Sequence, residues 1–181
     1  MSEKYKFVDG EGIYHVTLTI VHWIDLFTRK EYVFDVLESL RFCQANKGLK
    51  IHAWVIMPSH LHMIVSSRDV PLSDIMRDFK KYTNKKIIES IQSTNESRKK
   101  WLLNAFSKAA LPLKRINGFK VWMDGNHPIL LDNNFMMEQR VNYIHNNPVE
   151  AGMVMESYHY TFSSAVDYAG QKGLLGIDFI E

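Results

Sequence analysis

His60 and His62 are the residues of this chain whose type and spacing most directly invite chemistry. They fall within Ile51 to Val65, IHAWVIMPSHLHMIV, where two apolar runs, Ile51 to Met57 and Leu61 to Val65, meet across Pro58-Ser59. Proline and serine supply turn chemistry, so the stretch reads as an antiparallel hairpin. Side chains alternate along a strand, which puts both histidines on one face roughly 6.5 to 7 Å apart, with Leu61 and Met63 on the other. Two imidazoles so placed can chelate one divalent cation if a third oxygen or nitrogen ligand arrives from elsewhere, and the open positions then admit water or substrate. Eight histidines in 181 residues give roughly 0.35 His-x-His pairs by chance. The pattern gains its weight from lying on an apolar strand directly after a turn.

A second candidate group lies in VNYIHNNP. Tyr143 and Asn147 are four apart, hence on one helical face, with Arg140 and Met136 a turn or two earlier. A phenol, an amide oxygen and a cation can converge there. Taken alone, the pair is a helix end with a solvated tyrosine, because i, i+4 pairs of this sort are common. Tyr82 is a rival nucleophile, but Lys86 four residues on cannot hold a cation, which assigns Tyr82 to the core or to base stacking. His145, two residues from Tyr143, should point away from it, and His127 before Pro128 belongs to a turn. His15, His22, His52 and His159 have no partner visible in the sequence.

The elements that must position these groups follow from periodicity. Ile13 to Val21 alternates as a first, central strand with Tyr14, Val16, Leu18 and Ile20 on one face. Glu31 to Asn46 carries Val33, Val36, Leu37, Leu40 and Phe42 at near-helical spacing, and Gly48 stops it. After the hairpin, Leu72 to about Ile91 predicts a helix with Ile75, Phe79, Tyr82, Ile87 and Ile91 inward and Arg77, Lys80, Lys81, Lys85 and Lys86 outward. Strand, helix, strand, strand, helix is the order of a split βαβ sheet of ferredoxin-like type, mainly antiparallel, with helices on one face and the histidines on the free one. The fold class is therefore α/β, of the α+β kind. Gln92 to Lys100 is polar and reads as a mobile loop. A short helix from Trp101 to Leu111 closes at Pro112, and Phe119 to Met123 offers an edge strand. Asp124-Gly125-Asn126 makes a turn. A last helix, capped by Asp132 or Asn133, runs from about Asn134 to Asn146, where Pro148 ends it.

Composition narrows the class. With 46% hydrophobic and 12% aromatic residues the chain suits one folded domain, residues 1–181, with 150–181 as a tail packed on it. One cysteine, Cys43, excludes an internal disulfide, and neither a signal peptide nor a membrane span is visible, so the expected setting is the reducing cytoplasm. The net charge of +2 conceals an asymmetry: between Arg77 and Lys120, twelve Lys and Arg accompany only three acidic residues. A one-sign block interleaved with Phe79, Tyr82, Trp101, Phe106, Phe119 and Trp122 suits a polyanion with stackable bases.

Four stretches carry a resemblance. MPSHLHMIV is similar to the His-hydrophobic-His strand of HUH single-strand nucleases, and YIHNNPVEAGMV to the tyrosine helix of REP-associated tyrosine transposases, a branch of the one-tyrosine HUH transposases. VWMDGNHPILL before that helix and YTFSSAVDYAG after it resemble the same family, in the same order, so the likeness runs from Gly12 to Gly170. The length of Gln92 to Lys100 departs from the shortest members. The resemblance implies an HUH-type fold, His60, His62 and Asn147 as metal ligands, Tyr143 as nucleophile, and Mg²⁺ or Mn²⁺ as the ion. It implies a hairpin-bearing single-stranded DNA substrate, REP-like or an element end, cut and rejoined through a 5′-phosphotyrosine. Arg77, Lys80, Lys81, Lys85, Lys86 and Arg140 are the candidate DNA contacts. No membrane partner is expected, and the state is a monomer or a homodimer. Two other classes stay open: a non-cleaving single-strand nucleic-acid-binding regulator on the same fold, and a metal-dependent hydrolase of small phosphoesters, which leaves the basic segment without a purpose.

Overall fold

The computed structural model describes residues 7, 8, 10–112 and 118–179. Lys114 and Arg115 of the basic segment lie outside them. In chain order the elements are β1 (Tyr14–Thr19), α1 (Lys30–Lys47), β2 (Leu49–Ile56), β3 (His60–Ser67), α2 (Leu72–Ser93), α3 (Lys99–Ala110), β4 (Ile129–Leu130), α4 (Asn134–Glu150) and α5 (Ala165–Tyr168), with 3-10 turns at Val21–Trp23 and Ser157–His159. The sheet order is β2-β3-β1-β4, and every neighbouring pair is antiparallel. This is the ferredoxin-like order that the sequence pattern implies.

Alternation divides the side chains of the sheet between two cores. Tyr14, Val16, Leu18, Leu61 and Met63 join α1 and α2 in the larger one, through Val33, Val36, Leu37, Leu40, Ile75 and Phe79. Two expected inward residues are not there. Phe42 is 56% exposed and Tyr82 58% exposed, because Cys43 and Thr83 continue the buried stripes of α1 and α2 at helical spacing and turn their neighbours outward. Gly48 ends α1 in the left-handed region, with φ of 67°, a conformation that costs glycine little.

The second core lies on the opposite face and corrects the expectation that this face is free. Ala53, Val55 and Ile64 pack there against Ile144 of α4, with Met136, Met137 and Val141 around them. The alternating apolar positions of β2 and β3 need a partner, and α4 supplies its apolar stripe. Asn133 caps α4 by accepting from the Met136 amide at 2.9 Å. The helix does not stop at Asn146: it continues to Glu150 with Pro148 inside. Pro148 removes one helical hydrogen bond near the C-terminal end, where few remain to lose, and the Ala151 amide still bonds the Asn147 carbonyl at 3.0 Å.

Both sheet edges are covered. Residues 121–131 run beside β1, with Val21 N to Val121 O, Met123 N to Thr19 O and Thr17 N to Asn126 O bonds of 2.8 to 2.9 Å. The edge strand expected at Phe119 to Met123 is only an isolated bridge, Ile20 to Trp122, and the paired strand is β4. Lys80, expected outward, instead donates to the Met123 and Gly125 carbonyls at 2.7 Å each, pinning this segment to α2. Burial pulls its ammonium down to about 8. On the other side, residues 163–178 close β2: Ser164 Oγ accepts from the Trp54 amide at 2.9 Å, and the Asp178 amide bonds the Ile51 carbonyl at 2.9 Å.

The polar stretch 92–100, expected as a loop, is helical at both ends and tied to the fold by Glu96 in between. Glu96 is buried, pairs with Arg29 at 2.9 Å and Arg98 at 3.5 Å, and accepts from the Tyr32 hydroxyl at 3.0 Å. Removing the carboxylate strands a buried phenol and two half-exposed guanidinium groups, so Glu96→Ala should lower urea-unfolding stability by about 3 kcal/mol. A pH dependence follows from His145, whose Nε2 lies 2.8 Å from Ser164 Oγ. Burial pushes this imidazole from 6.5 down to about 4. The unfolded chain takes the proton first as pH falls, so the stability contributed by neutral His145 is complete above about pH 6.5 and is lost towards about pH 4. Between pH 7 and pH 5 the loss is about 2 kcal/mol. His145→Gln should remove that portion of the pH dependence in urea titrations, while buried His15 and His62 retain theirs.

Candidate active site

Register creates the site. β1 pairs with β3 so that Thr19 opposes His60 and Thr17 opposes His62, and the outward alternation of β1 adds His15 to the same face. The two histidine rings are 4.8 Å apart, centre to centre, with their planes at 81°. Thr17 Oγ1 lies 2.9 Å from His62 Nδ1, and Ser59 Oγ lies 3.1 Å from His60 Nδ1. Each imidazole thus has one nitrogen occupied by a neighbouring hydroxyl, and its Nε2 has no partner among the described residues.

Helix α4 lays Tyr143 over this row. The phenol ring is edge-on to His62 at 5.3 Å and to His15 at 6.0 Å, and it is 39% exposed. The Arg140 guanidinium lies 5.9 Å from the Tyr143 ring centre. Asn147, one turn further on, donates from Nδ2 to the Tyr143 carbonyl at 3.3 Å, which leaves Oδ1 available. His145 points away from Tyr143, to Ser164 Oγ and the Tyr168 ring 4.8 Å off, and His127 sits in the turn before β4 with a φ of 43°.

The electrostatics favour neutral imidazoles. Burial, reinforced by the like charges of His60, His15 and Arg140, pushes His62 down to about 3. Burial also lowers His60, against the pull of the Asp25 carboxylate. His15 is brought to about 4 by burial and then by Arg140. Nitrogen lone pairs are therefore available at neutral pH, the protonation state that metal binding requires. The pattern of an occupied Nδ1 and a bare Nε2 fits a divalent ion, since ligating histidines commonly spend their other nitrogen on a neighbouring donor or acceptor. Among the described residues no three His, Cys, Asp or Glu side chains gather at one point. A further protein ligand from the described residues would then be a neutral oxygen, and the Asn147 amide, on the same helical side as Tyr143, is one.

The structure does not bring the basic residues of α2 to this face. Arg77, Lys80, Lys81, Lys85 and Lys86 belong to the helix packed on the opposite side of the sheet, and Arg140 alone of the expected cations stands at the tyrosine. Arg77, Lys80 and Lys81 line an open groove of about 530 Å³ with Lys120, running along the 123–126 segment. Several charges are already paired: Arg77 with Asp74 and Asp78, Lys85 with Glu89, Lys120 with Asp124.

Sequence reasoning missed His15, Thr17 and Trp23. His15 is 4% exposed, stacks on His62 at 5.3 Å with planes at 20°, and has no hydrogen-bond partner on either nitrogen among the described residues. That near-parallel arrangement stacks the rings and does not converge their nitrogens. The signal for His15 and Thr17 was present, since both occupy the positions of β1 that alternate with the apolar ones. Only the β1 to β3 register shows which residue each one meets.

The model of the family "Transposase IS200 like" matches residues 11–110, from before β1 to the end of α3, including His60 and His62 and ending short of α4. Among solved structures, a REP-associated tyrosine transposase bound to a REP hairpin superposes with a TM-score of 0.62 at 21% identity, over 100% of this chain and 94% of that one. A putative transposase from Deinococcus radiodurans R1 gives a TM-score of 0.45 at 16% identity, over 81% of this chain and 97% of the other. The first likeness establishes a shared fold. No curated protein matches the sequence.

Proposed function

The chain belongs to the IS200-like transposase family, and from that premise we propose that it cuts and rejoins hairpin-bearing single-stranded DNA, with Tyr143 as nucleophile and a divalent ion, Mg²⁺ or Mn²⁺, held by His60, His62 and Asn147. The observation that carries this reading is the placement of the Tyr143 ring 5.3 Å from His62, itself 4.8 Å from His60. A phenol beside two neutral nitrogen donors, with the Arg140 guanidinium at its ring, has no packing role that requires this combination. The hairpin carried by the structural relative motivates the substrate class.

His60 and His62 would offer Nε2 and Asn147 its Oδ1, a neutral donor set that suits a hard ion retaining water. Such an ion would supply charge neutralisation to the phosphate and favour in-line attack on it. Thr17 and Ser59 hold the imidazoles in orientation. Helix α4 presents the Tyr143 oxygen, and Arg140 stands where it can meet phosphate charge. The phenol loses its proton to solvent and its oxygen bonds to phosphorus as the 3′-oxygen departs and takes up a proton from solvent, giving a 5′-phosphotyrosine and a free 3′-hydroxyl with no net proton change. The reverse attack by another 3′-hydroxyl reseals the strand without an external energy source, which is transfer and not hydrolysis.

Hairpin oligonucleotides with a randomised flank, incubated with protein and Mn²⁺, should yield a covalent adduct on a denaturing gel, absent from Tyr143→Phe and His62→Ala. Retention of DNA without adduct under any metal would instead establish the non-cleaving regulator. Thr17→Val should leave the fold intact and weaken Mn²⁺ binding about 10- to 100-fold in a calorimetric titration, because His62 loses the partner that orients it.

A further inference from the structure

Trp23 is 60% exposed and stands edge-on to His60 at 5.5 Å. It is held there by two consecutive residues in the left-handed region, His22 with φ of 58° and Trp23 with φ of 54°. A bulky residue in that region is a true outlier, and strain of this kind concentrates at functional sites. The 3-10 turn Val21–Trp23 is closed by the Trp23 amide on the Ile20 carbonyl at 3.0 Å, and Val21 is tied to the Val121 carbonyl at 2.8 Å. The neighbouring segments over-determine the backbone, and the indole is left facing solvent beside the histidine pair.

Along the β1 to β3 ladder the order of the rings is fixed. Trp23 lies beyond the Thr19 end, next to His60, whereas Tyr143 lies over His62 and His15. The nucleophile and the exposed indole therefore flank the histidine pair from opposite ends. In an in-line displacement the leaving oxygen departs opposite the attacking one. On the function proposed above, attack by Tyr143 from the His62 side would put the leaving 3′-oxygen and its nucleotide on the side of His60 and Trp23.

We propose that Trp23 is the stacking platform for the base immediately 5′ of the cleaved phosphate, the nucleotide released with the free 3′-hydroxyl. The inference rests on the function proposed above and adds to it the polarity of the strand and a residue that retains the cut end for rejoining. The balance of the step is unchanged: the Tyr143 phenol gives up its proton to solvent, the bond from phosphorus to its oxygen forms, the bond to the 3′-oxygen breaks, and that oxygen takes a proton from solvent. Stacking on an indole accepts any base, so Trp23 fixes position and not sequence.

The test separates this inference from its premise. Wild-type protein with Mn²⁺ locates the cut phosphate on a gel. Tyr143→Phe protein, which leaves the strand whole, is then irradiated with oligonucleotides carrying 5-iododeoxyuridine at one position at a time. The cross-link to the Trp23 peptide should peak at the nucleotide 5′ of the cut. Trp23→Gly, which relieves the left-handed backbone, should keep or raise the melting temperature while weakening binding on the order of 10- to 100-fold. An abasic residue at the 5′ position should do the same, the two losses should not multiply, and Trp23→Phe should restore part of the affinity. A cross-link at the 3′ nucleotide, none at Trp23, or multiplying losses would overturn the assignment of Trp23 while the wild-type adduct still supports the proposed chemistry. If wild type forms no adduct, the premise and the leaving-side assignment fall together.

Discussion

The antiparallel pairing of β1 with β3 is the constraint on which the site depends. It puts Thr17 opposite His62 and Thr19 opposite His60, and it stacks His15 against His62. A slip of one residue would send every one of these side chains to the other face and bring Val16 and Leu18 out of the core. The apolar alternation that fills the larger core therefore also specifies the polar row on the opposite face. Stability and site geometry are enforced by the same residues, because burying Leu61 and Met63 is what aims His60 and His62.

A second level of order comes from α4. Ile144 and Met137 meet Ala53, Val55 and Ile64, and with those residues inward the helix has one rotation that places Tyr143 over His62 and His145 against Ser164. His145, Ser164 and the backbone of Trp54 form one hydrogen-bonded tie between α4, the C-terminal segment and β2. The phenol is positioned by a rigid helix seated on a sheet, and such elements hold reacting groups more precisely than loops do.

Much of this was legible in the residues. The two-residue alternation around His60 and His62 predicted a shared face, and the four-residue spacing of Tyr143 and Asn147 predicted a shared helical side; both hold. Errors arose where a local rule met a tertiary demand. Tyr82 and Phe42 fit a loose helical stripe, but Thr83 and Cys43 hold the buried positions. Gln92 to Lys100 has a loop's composition, yet Glu96 is buried because Arg29, which lies 67 residues earlier, reaches its carboxylate. Pro148 predicts a helix end, but α4 carries it through its C-terminal end. The covering of the histidine face by α4 was hidden for a related reason, since a helix's partner is set by topology and not by its own periodicity. The basic segment illustrates the limit of counting charge: five of its twelve cations lie on α2, which packs on the face away from the histidines, and Arg98 and Lys120 as well as Arg77 and Lys85 already have acidic partners.

Charge at the site itself is sparse, and this sparseness has a consequence. His15, His60 and His62 are kept neutral chiefly by burial, and a nearby Arg140 makes protonation of His15 and His62 still less favourable. Arg140 is then the permanent positive charge beside the tyrosine. A phosphate approaching a face of neutral rings gains little until it meets that guanidinium or a bound cation, and a cation held by two imidazoles and an amide gains little until an anion completes its shell. On the proposed chemistry each ligand improves the site for the other. The site would then stay weakly occupied without DNA and become competent when a strand lies across it, and that coupling would restrict an unregulated phenol nucleophile to the substrate that brings its own charge.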